Sequence, residues 1–173
     1  MAKKALLVLD MLKDFMDEKG TLYCGKEAVK IVPFIKQKIK EFREKDFPVF
    51  FIMDSHTKSD PEFNLFPTHC VTGSEGAKLI DDLKPEKEDI LIPKTTYDAM
   101  HNSNLEVSLK EKGIKETYLT GVCTSICVME TADSLTKRDY KVFIYKDGVA
   151  DFDKDAHKFA LKRMKTIYGA EII

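Results

Sequence analysis

The 173-residue sequence predicts an α/β protein built on a parallel sheet with helices on both faces. Three observations lead there. Short continuous apolar runs, the mark of strands buried on both sides, recur along the chain. Stretches with helical apolar spacing separate them. The polar residues that interrupt the runs fall at their carboxyl ends, where open parallel sheets bind ligands.

The first run is residues 5–9 (ALLVL), ended by Asp10. A helical pattern follows at Val29, Ile31, Ile35, Ile39 and Phe42, with Pro33 marking a helix start or a kink. Residues 49–53 (VFFIM) form the second strand, followed by Asp54 and His56. The irregular stretch 55–76 comes next, and a loop of that length in a compact chain is more often functional than idle. Residues 90–92 (ILI) make a third strand with Lys94 just beyond, and Leu105, Val107 and Leu109 a less regular helix. The fourth strand, 117–119 (TYL), runs into the loop 121–127, and Val128, Ala132 and Leu135 carry the helix that follows. Residues 142–145 (VFIY) are the fifth strand, Phe159, Met164 and Ile167 the last helix, and 171–173 a sixth strand.

This length fits one domain spanning residues 1–173, with a core that needs no staples. Basic and acidic residues nearly cancel, 28 against 29, so no long-range field favours nucleic acid or an anionic membrane. A small-molecule partner is expected, and a homo-oligomer is left open. The opening MAKKALLVLD has too few apolar residues before Asp10 for a secretion signal or a membrane span, so a cytoplasmic location is expected. In that compartment the four cysteines should be reduced thiols.

The chemistry concentrates around Cys127. With Thr124 or Ser125 as helix N-cap, Cys127 falls in the first helical turn, where the dipole favours a thiolate. Lys94 and Asp10, at neighbouring strand ends, could supply a cation and a proton acceptor. Singly, each residue reads as ordinary: a strand-end acid, a surface lysine, a buried small side chain.

Together they resemble a family. The order VLDM, IPK and GVCTSICVMETA is similar to the isochorismatase-like cysteine hydrolases, over about Leu6 to Tyr168. The resemblance implies a Rossmann-like six-stranded parallel sheet. It also implies a catalytic triad of Asp10, Lys94 and Cys127, and a cis peptide before Cys123. The backbone N–H groups of Cys123 and Cys127 would then form an oxyanion hole. Asp54, His56, Glu62 and His69, a D-x-H…E…H set, resemble the metal site of the nicotinamidase branch, as does FPTHCVTGSEGA around His69. The sequence departs from that branch in lacking tryptophan and a third histidine in the loop; Glu62 takes that place, with Asp60 as competitor. One divalent ion is implied, Zn first, with Mn or Fe as alternatives. Phe15, Leu22, Phe66 and Tyr97 resemble residues that line the substrate pocket. The expected reaction is hydrolysis of nicotinamide to nicotinate and ammonia through a thioester on Cys127, as a step of pyridine nucleotide salvage. Two alternatives stand beside it: a related hydrolase of an N-carbamoyl, ureido or other small amide, and a thiol redox or binding protein using Cys123 and Cys127. Cys24 and Cys70 have no assigned part, and His101 and His157 are expected to be structural or exposed.

Overall fold

A computed structural model describes residues 3–173. Its frame is one parallel sheet of six strands. These are β1 (Lys3–Leu9), β2 (Val49–Asp54), β3 (Ile90–Lys94), β4 (Ile114–Val122), β5 (Lys141–Ala150) and β6 (Glu171–Ile172). Their order across the sheet is β3-β2-β1-β4-β5-β6. The chain therefore builds outward from β1 in one direction and then in the other, which opens a crevice beyond the carboxyl ends of β1 and β4. Each strand begins or ends a residue or more away from its apolar run, because backbone pairing continues past the last buried side chain.

Alternate side chains of β1 serve two cores, as a period of two requires. Leu7 and Leu9 pack with Phe50, Ile52, Leu119 and Ile144 against α4 (Leu105–Glu111), α5 (Met129–Thr136) and α6 (Lys154–Arg163). Leu6 and Val8 pack with Val49 and Phe51 against α1 (Lys13–Met16), α2 (Lys26–Lys30) and α3 (Val32–Arg43). Pro33 sits in the first turn of α3, where its missing N–H costs nothing, and Ile35, Ile39 and Phe42 form the buried face.

The helical spacing misjudged several faces. Val29, Val107, Phe159 and Ile167 are exposed, whereas the predicted Leu105, Leu109 and Met164 do turn inward, joined by Ala160 of α6. A spacing of three or four residues marks one face of a helix without saying which apolar stripe the sheet will cover. The loop of 55–76 holds one short 3-10 turn, Pro61–Asn64, and its residue His56 bridges Val71.

Two backbone features shape the crevice. Asp10 has φ 54°, a left-handed turn that ends β1 abruptly and that aspartate tolerates better than most residues. Opposite Leu9 in the register, Gly121 has φ 113°, and a Cβ there would lie 1.9 Å from the Leu9 carbonyl oxygen. Only glycine lets β4 approach β1 so closely. Gly121→Ala should therefore destabilise the protein by about 3 kcal/mol or more, read as a lower midpoint in urea unfolding with an unchanged slope.

Candidate active site

Strand register gathers the charged residues. Asp54 and Lys94 are paired across β2 and β3, and Asp10 follows Leu9, whose partners are Ile52 on β2 and Gly121 on β4. All three side chains are buried beneath the crevice. The Lys94 ammonium lies 2.9 Å from Asp10 Oδ2, donates to Asp54 Oδ1, and lies 3.6 Å from Cys127 Sγ. Its three donors thus face three partners. Ligand atoms of Asp10, Asp54 and Cys127 lie within 4.8 Å of one another. Burial would lower the lysine pKa, but the two carboxylates overcome it and hold Lys94 charged.

The electrostatics at the sulfur oppose one another. Burial pushes the Cys127 thiol well up; Lys94 opposes this, while Asp10 and Asp54 add to it. One ammonium shared by two carboxylates favours a thiolate less than an unshared one would. The proton acceptor is at hand. Burial, then the Asp54 charge, raise the Asp10 carboxyl to about 6 against the pull of Lys94. Asp10 Oδ1 accepts the Asp54 N–H at 3.0 Å, whereas buried Oδ2, in ion-pair contact with Lys94, accepts no hydrogen bond.

Cys127 is carried by a π turn, Thr124–Val128, that leads into α5. The expected N-cap is not there: Cys123 occupies that position without a side-chain cap. Asp151, buried after β5, accepts the Ser125 N–H at 2.8 Å and so caps the turn from another element. The Thr124 hydroxyl pairs instead with His157 Nδ1 of α6 at 2.9 Å, which gives that histidine a partner in the site's frame. The Val122–Cys123 peptide is cis.

On the opposite wall, ligand atoms of Asp54, His56 and His69 lie within 4.8 Å of one another. Glu62 Oε1 lies 3.6 Å from His69 Nε2. Each imidazole is oriented through its other nitrogen: His56 Nδ1 by Asp60 Oδ2 at 3.1 Å, His69 Nδ1 by the Pro67 carbonyl at 2.8 Å. His56 Nε2 is buried with no hydrogen-bond partner. An orphaned imidazole nitrogen beside a second imidazole and two carboxylates fits a divalent ion, with the outer partners fixing the rings as metal sites do. The geometry also separates the two competing acids. Asp60 engages His56 Nδ1 and accepts the Glu62 N–H, and its ligand atoms lie within 4.8 Å of those of His56 and Glu62; Glu62, unlike Asp60, lines the cavity.

A cavity of about 400 Å³ joins the two walls. Phe15, Leu22, Phe66 and Tyr97 line it together with Cys127, Glu62 and His69. Cys24, Ile126 and Phe152 also line it, and sequence reasoning missed all three. An apolar residue in a loop carries no periodic signal, although the segment that bears Phe152 could have been found as the fifth strand's carboxyl end. Cys123 has its sulfur beside that of Cys24, at 3.3 Å; no such contact links it to Cys127. Cys70 is buried with φ 43°.

Comparison with known proteins agrees with this layout. The isochorismatase domain model matches residues 4–173. The crystal structure of nicotinamidase/pyrazinamidase PncA from Bacillus subtilis superposes with TM-score 0.93 at 36% identity, covering 98% of both chains. N-carbamoylsarcosine amidase from Thermoplasma acidophilum gives 0.90 at 32% identity, over 98% of this chain and 95% of that one. Pyrazinamidase of Pyrococcus horikoshii, solved in complex with zinc, gives 0.92 at 29% identity, over 99% and 98%.

Two outcomes follow from the geometry. His56→Ala and His69→Ala should lose the divalent ion outright, whereas Asp60→Ala should keep it with affinity reduced roughly 10- to 100-fold, measured by chelator competition. Asp151→Ala should leave the Ser125 N–H unpaired and lower stability by about 1–3 kcal/mol, measured by urea unfolding.

Proposed function

The chain belongs to the isochorismatase family of hydrolases, and we propose that within it this protein is a metal-containing nicotinamidase. One observation carries the choice. The cavity that reaches Cys127 has an ion-binding wall and an apolar, aromatic one, and among the described residues lining it there is no arginine or lysine. An N-carbamoyl amino acid brings a carboxylate that would find no arginine or lysine to pair with on the apolar wall and would have to compete for the ion itself. A neutral heteroaromatic carboxamide brings no such charge, and its ring can lie between Phe15, Phe66 and Tyr97.

In this reading Asp10 Oδ2 takes the Cys127 proton as the sulfur attacks the carboxamide carbon. The N–H groups of Cys123 and Cys127 receive the developing oxyanion. Asp10 then protonates the leaving nitrogen, ammonia departs, and a thioester remains. Asp10 next deprotonates a water that attacks the thioester, releasing nicotinate and restoring the thiol. Lys94 keeps Asp10 ionised and aimed at the sulfur throughout. Asp54, His56, Glu62 and His69 would hold the ion, which supplies a Lewis-acidic anchor for the ring nitrogen. Zn suits two imidazoles with two carboxylates, and the Pyrococcus pyrazinamidase was solved with it.

Ammonia release from nicotinamide by the metal-loaded protein is the direct test. Cys127→Ala and Asp10→Asn should each lower kcat on the order of 10⁴-fold with the far-UV circular dichroism unchanged. Faster cleavage of N-carbamoylsarcosine than of nicotinamide would replace the substrate while keeping the three-residue centre.

A further inference from the structure

Cys24 and Cys123 have no part in the chemistry above, where Cys123 contributes only its backbone. They lie 99 residues apart in the chain, both buried, with their sulfurs 3.3 Å apart in the wall of the cavity that holds Cys127. Cys24 lies two residues after Leu22, another residue of that wall, and Cys123 directly follows β4, between that strand and the turn of the nucleophile.

Two thiols so placed could hold a soft metal, couple by oxidation, or merely pack. A metal site fits poorly. Two thiolates on a tetrahedral ion with bonds near 2.3 Å would stand about 3.8 Å apart. Among the described residues no cluster of three candidate ligands includes either cysteine. Coupling needs less change. A bond of about 2.05 Å requires the sulfurs to close by about 1.2 Å, and the cavity admits a small oxidant to both. Packing alone gives no reason for the two sulfurs to face each other on an open wall.

We propose that Cys24 and Cys123 are an oxidation site that takes a hydroperoxide and forms a reversible disulfide in the pocket wall. A thiol of the pair attacks the peroxide: the O–O bond breaks, the sulfur is oxidised to a sulfenic acid, and an alcohol or water leaves. The second thiol displaces hydroxide from that sulfenic sulfur, and its proton leaves with it as water. Two thiols and one peroxide thus give one disulfide, with the peroxide as the oxidant reduced. A dithiol reductant restores the pair by exchange. The bond ties the Leu22–Cys24 wall to the end of β4, moves the Cys123 backbone that receives the oxyanion, and slows turnover. This last consequence rests on the proposed amide hydrolysis; the cross-link itself does not.

The experiment treats the metal-loaded protein and its Cys24→Ser and Cys127→Ala variants with dilute hydrogen peroxide, followed by alkylation in denaturant and peptide mass mapping. Wild type and Cys127→Ala should both yield a Cys24–Cys123 linked peptide, lighter by two hydrogens, with these two thiols protected from alkylation. Cys24→Ser should yield none. The ratio of nicotinamide turnover before and after peroxide should be at least fivefold in wild type, with recovery in dithiothreitol, and close to one in Cys24→Ser under the same mild dose. A Cys123–Cys127 link, or peroxide consumption with no linked peptide, would overturn the site. Full turnover by the linked protein would overturn its control of the pocket. If nicotinamide is not a substrate at all, the mass map still decides the cross-link.

Discussion

A single buried ammonium organises the crevice. Lys94 has lost its water at the end of β3, and that loss is tolerable only because Asp10 and Asp54 converge on it. The same two carboxylates oppose ionisation of the neighbouring sulfur, which Lys94 favours. Removing Lys94 would leave two buried carboxylates without their cation. The catalytic logic and the folding logic of this end of the sheet are therefore one constraint.

The sheet meets that constraint by register. Asp54 and Lys94 are lateral neighbours in β2 and β3, and Asp10 sits one strand further on, where β1 ends in a left-handed turn. Asp54 then belongs to two groups at once, through one oxygen to Lys94 and through the other to the imidazole cluster. In the proposed reading this shared carboxylate brings an ion site and a nucleophile to one 400 Å³ cavity, so that a substrate held by the first would be presented to the second. The nucleophile's own turn is less self-sufficient. It has no cap of its own and is held by Asp151, just after the neighbouring strand β5, and by His157 of α6.

Much of this was legible. Continuous apolar runs announced the central strands because both faces of a parallel sheet are covered, and all six predicted strands are present. Asp10, Lys94 and Cys127 were found through short motifs, and Asp54, His56, Glu62 and His69 through their resemblance to a known ligand set; the structure brings each group together. Other features had no such signal. Phe152 and Cys24 lie in loops without periodicity, Asp151 is one acid among many, and the π turn exists in the company of contacts contributed from β5 and α6. Phe159 and Ile167 carried a helical signal that pointed the wrong way, since an apolar residue on a helix can be left uncovered.

The sequence by itself determined the class of the sheet, the residues at its strand ends and the family, because those depend on local pattern and on motifs that survive as strings of letters. The tertiary structure decided which acids lie beside each imidazole, what surrounds the Cys127 sulfur and which cysteine lies beside Cys123. Each of these turns on distances of a few ångströms between segments far apart in the chain. Burial and charge act through space, and only the folded register fixes where those segments meet.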